Sequence, residues 1–200
     1  MSRGLSGFTL RLTKGFPACR PALFLPLVLL VGGAWAAAPG SSTFCPDCLV
    51  AGAASLDVTP PIGVPLAGYG GLARRLPLPD LLDRAPYAFW FKTSRGVHDP
   101  IMARALVLEF RKVRLLWVSI DLVGIDRDMV KEVRSRLGTL GLRYDAVIIS
   151  ASHTHSGPGA FARSAAFEFL VLDRYVAAIR EHLLSGIERA VRVAEDRKTP

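Results

Sequence analysis

Two long apolar runs in the middle of the chain predict a β-hairpin. Residues 102–110 and 115–123 consist largely of Ala, Leu, Val and Ile without regular polar alternation, which is typical of buried strands. A short basic turn, Arg-Lys-Val-Arg, joins them. A shorter run at 54–58 predicts another strand, and Pro60 and Pro61 terminate it.

A strand–helix–strand unit is predicted after the hairpin. Asp126 is a suitable N-cap for a helix at about 127–138, whose apolar residues share one face and which Gly138 and Gly141 stop. The strand that follows is 145–151. A crossover through a helix makes the two flanking strands parallel, so their carboxyl ends should share one edge of the sheet.

The last predicted element is a long amphipathic helix at about 172–195. Its apolar residues form one stripe with spacings of three and four: Leu172, Val176, Ile179, Leu183, Ile187, Val191 and Ala194. The elements together predict an α/β fold with a mixed sheet, a strand–helix–strand crossover and a long C-terminal helix. Because an α/β pattern calls for another strand after this helix, we expect this fold to be the incomplete N-terminal part of a larger domain.

Residues 72–96 do not follow either periodicity. They contain prolines, charges and the aromatic stretch Tyr-Ala-Phe-Trp-Phe at 87–91, and they predict an irregular insertion. The aromatic stretch is expected to be exposed or to pack on a neighbouring element.

Composition is that of a globular domain, and the charge does not indicate a nucleic-acid-binding protein. Half of the 200 residues are hydrophobic, and the formal net charge is +8. Residues 1–40 hold four cations and no carboxylate, which leaves 8 − 4 = +4 for the remainder. There the cations alternate with acids along predicted helices, as on solvated helix faces, so we expect no nucleic-acid partner.

Residues 1–40 resemble a targeting segment. A basic stretch precedes an uncharged apolar stretch at 21–40, and the small residues near 36–38 would suit cleavage. The segment is either a signal peptide or an uncleaved N-terminal anchor, and both predict an exported protein. Residues 41–50 then form a linker with the pair Cys45 and Cys48, for which an oxidising compartment favours a local disulfide or two idle thiols.

Two of the four histidines lie directly after the 145–151 strand. His153 and His155 stand one residue apart, so in an extended chain both side chains would point to the same side, close to Asp121 at the end of the neighbouring strand. Neutral imidazoles are zinc ligands, but a hydrogen-bonded pair in a polar loop would give the same spacing. His98, with Asp99 beside it, is a further candidate, whereas His182 on the long helix is expected to be a surface or half-buried residue.

Four motifs in order give the chain a family resemblance. They are "ASLDVTPPIGVPLAGYGG", "GVHDPIMARALVLE", "LLWVSIDLVGID" and "VIISASHTHSGPGAF". In this order they resemble the N-terminal domain of the neutral/alkaline non-lysosomal ceramidases, over about residues 51–195. The resemblance implies a zinc-dependent amide hydrolase that cleaves ceramide or a similar lipid amide, with a membrane surface as a partner, and makes 51–200 the N-terminal portion of its catalytic domain.

The same resemblance assigns individual residues. It makes His153 a zinc ligand and His155 a neighbouring site residue, and it carries over His98 and Asp121 as catalytic-pocket residues. A proton could pass through His155 or His98 to the leaving amine. Because the matched motifs supply one of the family's four zinc ligands, two alternatives stay open: an exported hydrolase of another amide or ester, and an exported binding domain without turnover.

Overall fold

The computed structural model describes residues 47–68 and 70–200. The predictions for the targeting segment and its cleavage site, together with Cys45, lie outside these residues. Cys48, just inside them, is disulfide-bonded.

The described chain forms a four-stranded mixed sheet in the order β1-β2-β3-β4. The strands are β1 (Leu49–Asp57), β2 (Met102–Phe110), β3 (Val113–Ile120) and β4 (Ala146–Ala151). β1 pairs antiparallel with β2, β2 antiparallel with β3, and β3 parallel with β4. The predicted hairpin and the predicted parallel crossover are therefore both confirmed, although β3 begins two residues before and ends three residues before the predicted 115–123.

Strand β1 is longer than the run at 54–58 predicts. In its first half, Leu-Val-Ala-Gly-Ala, the last three residues are small and have weak strand propensity. The small residues are explained by the helix above them, because a Cβ on Gly52 would lie 2.0 Å from the carbonyl oxygen of Ala194. Packing with a distant helix thus selects small residues that local sequence reasoning interprets as a loop.

Helix α1 (Arg127–Thr139) begins where the sequence predicts. The carboxylate of Asp126 accepts a hydrogen bond from the backbone N–H of Met129 and caps the helix. Met129, Val133 and Leu137 are the buried residues of α1, whereas Val130, which is also apolar, is only half-buried.

The long helix starts later than predicted. After a three-residue helix, α2 (Ala165–Phe167), and a π-helical turn at Glu168–Leu172, helix α3 runs from Ala177 to Asp196. The predicted start at 172 is wrong because Asp173 adopts φ 74°, a left-handed conformation that interrupts any helix. The rest of the predicted stripe is confirmed, and Ile179, Leu183, Ile187, Val191 and Ala194 are all buried.

Only one face of the sheet is covered within the described residues. Helix α3 packs on β1 and β2, and α1 packs on α3. On the opposite face Trp117 and Ile148 are neighbours in register and remain 48% and 46% exposed. The uniformly apolar strands predicted burial on both faces, and for these positions that prediction is wrong. No helix of the described part is long and apolar enough to cross a membrane.

A buried arginine joins α1 to α3. The guanidinium of Arg180, whose side chain is 6% exposed, donates hydrogen bonds to the carboxylates of Asp126 and Glu132 and to the carbonyl of Phe161. Burial alone would raise the pKa of Asp126, but hydrogen bonds from Arg180 and from the Met129 amide outweigh burial and hold that pKa below its usual value.

We expect Asp126→Asn to lower the free energy of unfolding by about 1–2 kcal/mol at pH 7, because charge-assisted bonds to Arg180 are lost. Since folding lowers this pKa, the stabilisation is complete above the unfolded value near 4 and disappears as pH falls through the lower folded value. Urea unfolding at pH 7 and pH 3 measures both effects. Asp128→Asn, at an exposed ion pair with Lys131, is the control and should change little at either pH.

The insertion at 72–96 is irregular, as predicted, but its base is firmly held. The carboxylate of Asp173, fully buried, accepts hydrogen bonds from the backbone N–H groups of Phe89, Trp90 and Phe91 at 2.9–3.1 Å. Within the aromatic stretch Ala88 and Phe91 are buried and the other residues are half-buried. The stretch therefore packs on its neighbours, and the insertion is fastened to the segment that precedes α3.

Candidate metal and catalytic site

The carboxyl ends of β3 and β4 meet at one edge of the sheet. Asp121 directly follows β3, and His153 and His155 follow β4 after Ser152. This edge is where ligands bind in open α/β sheets, and both candidate histidines lie there.

His153 is held in one orientation and one tautomer by a backbone carbonyl. Its Nδ1 lies 2.6 Å from the carbonyl oxygen of Val123, in the segment that follows β3. Because a carbonyl oxygen accepts only, Nδ1 of the neutral ring carries the proton and Nε2 keeps its lone pair. In metal sites, a hydrogen bond from one ring nitrogen to a carbonyl orients the imidazole whose other nitrogen binds the metal.

The two imidazoles converge, but not through strand alternation. His153 adopts φ 61°, so the chain turns there instead of continuing as a strand. Its Nε2 lies 3.4 Å from Nε2 of His155, with the ring centroids 5.1 Å apart. Two nitrogens that bind one tetrahedral zinc at roughly 2.1 Å would also be about 3.4 Å apart. The donor type and the spacing of this pair therefore fit zinc.

Glycines let residues 152–159, which we name the histidine loop, pass close to their neighbours. A Cβ on Gly68 would lie 2.4 Å from Nδ1 of His155, and Gly68 has φ +102°. A Cβ on Gly157 would lie 2.8 Å from the carbonyl oxygen of Asp121, and one on Gly159 would lie 2.2 Å from that of Leu172. Any side chain at these positions would push the loop away from the site.

The insertion also supports the histidine loop. The Arg74 guanidinium donates a hydrogen bond of 3.1 Å to the carbonyl oxygen of His155. Sequence reasoning missed this contact, which spans 81 positions of the chain. It also missed Gly68 and the Val123 carbonyl, because no local pattern indicates which backbone groups meet a side chain so far away.

Asp121 ties β3 to β2. Its carboxylate accepts hydrogen bonds from the backbone N–H of Met102 at 3.0 Å and from the Arg104 guanidinium at 3.1 Å. Burial by itself would raise the pKa of Asp121, but these bonds hold it below its usual value. Asp121 thus stays ionised and fixes the start of the segment that presents the Val123 carbonyl.

Two cavities lie on opposite sides of the histidine loop. A cavity of about 430 Å³ is lined by His153, His155 and mainly apolar residues, including Phe161, Phe167 and Leu172. A larger cavity of about 590 Å³ is lined by Asp121 and His98 together with Thr154 and Ser156, the residues beside the two histidines. Alternate residues of the loop therefore face different cavities.

The structure does not bring the four predicted site residues into one cluster. His153 and His155 line one cavity, whereas Asp121 and His98 line the other. His98 is almost fully exposed, and its Nδ1 lies 3.0 Å from the Asp99 carboxylate. Among residues 47–68 and 70–200 no three His, Cys, Asp or Glu side chains are arranged to hold a metal. His182, expected at the surface or half-buried, is half-buried, and its Nε2 contacts the carbonyl oxygens of Val58 and Thr59.

Comparison with known proteins places these features in a family. Residues 84–200 match the model of the neutral/alkaline non-lysosomal ceramidase N-terminal region. The chain is 32% identical over 115 residues to neutral ceramidase of Drosophila pseudoobscura pseudoobscura and 34% identical over 113 residues to that of Pseudomonas aeruginosa. These alignments cover 55% and 52% of the chain but only 16% and 17% of the relatives.

A solved structure gives the same result. The crystal structure of neutral ceramidase from Pseudomonas aeruginosa matches with a TM-score of 0.62 and 27% identity, over 76% of this chain and 22% of that one. A structure described as ceramidase complexed with C2 matches with a TM-score of 0.61. The mixed sheet, its crossover and the histidine loop at the sheet edge thus occur in a chain that belongs to the neutral/alkaline non-lysosomal ceramidase family.

Proposed function

We propose that this protein is an exported zinc-dependent amide hydrolase that cleaves ceramide or a similar lipid amide into a fatty acid and an amine. Its membership of the ceramidase family supports the reaction class, and the relatives it matches are neutral ceramidases. The observation that carries the proposal is the convergence of the His153 and His155 Nε2 atoms at 3.4 Å, with the His153 tautomer set by Val123.

His153 is the residue we assign as a zinc ligand, through Nε2. His155 is either a second ligand through its own Nε2 or the imidazole next to the metal. Bound zinc would polarise the amide carbonyl and lower the pKa of a water molecule. A catalytic zinc takes three protein ligands, so a further donor has to approach the pair when the metal binds.

The other groups of the site hold or move protons. Val123 keeps the proton of His153 on Nδ1, and Asp121 with Arg104 keeps the Val123 segment in place. His98 bonds to Asp99 through Nδ1, so its Nε2 faces solvent and can exchange a proton. We propose that the leaving amine receives its proton from His155 or His98.

The apolar cavity beside the histidines indicates the substrate class. Its lining by Phe161, Phe167 and Leu172 suits an acyl chain. An exported enzyme would meet a lipid amide at a membrane surface, so the substrate class agrees with the proposed export. Export itself rests on the basic and apolar pattern of residues 1–40.

Hydrolysis of a fluorescent short-chain ceramide by the intact gene product tests this function. We expect fatty-acid release that chelation of zinc stops and added zinc restores. A water-soluble N-acyl amino acid is the matched substrate, and it should react far more slowly because it leaves the apolar cavity empty. Faster cleavage of the soluble amide would favour another hydrolase, and turnover of neither substrate would favour a binding domain.

A further inference from the structure

The tip of the insertion presents three leucines to solvent. Leu78, Leu81 and Leu82 are 77%, 76% and 69% exposed, well above the usual exposure of leucine. They lie within residues 77–84, which we name the leucine loop. Three large apolar side chains exposed together on one short loop indicate a contact surface.

The leucine loop is mounted on a rigid base. The chain entering it and the chain leaving it are joined by backbone hydrogen bonds: Leu76 N–H to Trp90 O, Asp80 N–H to Phe89 O and Lys92 N–H to Arg74 O, at 2.7–2.9 Å. Below them the buried Asp173 holds residues 89–91. Since the backbone is already ordered, burying the leucines in a partner would lose little conformational entropy.

Apolar surface continues from the insertion to the cavity that holds the two histidines. The rings of Trp90 and Phe169 meet edge to face with centroids 5.3 Å apart, and the Arg75 guanidinium stacks on Phe169. Phe169 is half exposed, and Phe167, 58% exposed, lines the cavity itself. A partner that contacts this surface would therefore also contact the rim of the candidate site.

The charge of the insertion favours an anionic partner. Residues 72–92 carry four cations, Arg74, Arg75, Arg84 and Lys92, against two carboxylates. The segment therefore has a net charge of 4 − 2 = +2, and Arg174, which pairs with Asp83, adds a further cation beside it. Exposed leucines beside basic residues are the combination that binds the interface of an anionic bilayer.

We propose that the leucine loop docks this protein on an anionic lipid bilayer, with Leu78, Leu81 and Leu82 inserted among the acyl chains and the neighbouring cations at the headgroups. The proposed docking depends only on the leucine loop and its neighbouring cations, and not on the proposed function. Its consequence, that a lipid substrate enters the histidine cavity directly from the bilayer, rests on the proposed function.

Vesicle binding of the full chain tests the docking without any use of ceramide or catalysis. The probe is phosphatidylcholine vesicles with and without phosphatidylglycerol, and the variant is Leu78→Ser/Leu81→Ser/Leu82→Ser. The matched control is Leu49→Ser/Val113→Ser/Leu140→Ser. It removes exposed apolar side chains at the end of the sheet opposite the histidine loop. Residues 1–40 are the same in all three proteins, so any contribution they make is common to them.

We expect the leucine-loop variant to partition at least about tenfold more weakly into the anionic vesicles, and the control to change less than about twofold. Hydrogen–deuterium exchange should slow at residues 77–84 when vesicles are added to the unmodified chain, and urea unfolding should show that both variants fold. Equal partition of both variants, or no local change in exchange, would overturn the proposal. Loop-dependent capture of a second protein without loop-dependent vesicle binding would overturn it too, by assigning the surface to a protein partner.

Discussion

His153→Ala is expected to remove bound zinc and hydrolytic activity together from the intact gene product. The substitution deletes the imidazole whose Nδ1 proton is held by the 2.6 Å contact with the Val123 carbonyl and whose Nε2 is therefore left for the metal. Loss of a direct ligand should weaken zinc binding by more than about 100-fold, since loss of a supporting group alone weakens it by 10–100-fold. Plasma emission spectrometry of the purified variant, alongside the ceramide assay, measures both quantities.

The control for this experiment is His182→Gln. His182 contacts the carbonyl oxygens of Val58 and Thr59, and glutamine retains an N–H donor for them. Zinc content and activity should stay within about twofold of the unmodified protein, because structural hydrogen bonds away from the site contribute only to stability. Stoichiometric zinc in purified His153→Ala would remove His153 from the ligand set.

Asp173→Ala is expected to cause a large loss of stability in the described part of the chain. The substitution leaves the N–H groups of Phe89, Trp90 and Phe91 without the carboxylate that now accepts from all three. Leaving such buried donors unsatisfied should lower the free energy of unfolding by about 3–5 kcal/mol. Urea unfolding at neutral pH measures this change.

Two companion variants separate the causes of that loss. Asp173→Asn keeps one acceptor oxygen and tolerates the positive φ, so it should lose about half as much. Asp83→Ala removes an exposed carboxylate paired with Arg174 at a second position of positive φ, so it matches the backbone effect of Asp173→Ala and should change the free energy by less than about 1 kcal/mol. Equal stability of Asp173→Ala and Asp83→Ala would show that the buried carboxylate does not hold the insertion.

The elements that sequence reasoning predicted well are those whose signals are local. Strands β2 and β3 are continuous apolar runs, and α1 begins at its own capping aspartate, so neighbouring residues suffice to identify them. The start of α3 could not be predicted, because it depends on the hydrogen bonds of Asp173 to Phe89, Trp90 and Phe91. These residues lie more than 80 positions earlier in the chain. Long-range contacts of this kind leave no periodic signal in the sequence.

The candidate site divides in the same way. The positions of His153 and His155 at the sheet edge follow from the crossover, and the structure places them there. Their geometry depends on Val123, Gly68 and Arg74, which meet the loop only after folding. Asp121 was expected near the imidazoles, but its bonds to Met102 and Arg104 direct its carboxylate towards the other cavity.

The left-handed backbone of His153 sets function against stability at one position. At φ 61° glycine avoids the strain that any side chain meets, so the relief of strain in a glycine replacement should offset much of the lost hydrogen bond to Val123 and leave the fold about as stable. A descendant of this protein released from selection for catalysis would therefore be expected to lose the histidine there early, while the sheet and helices persisted. Retention of histidine at this position is thus a better marker of surviving chemistry among family members than similarity of fold.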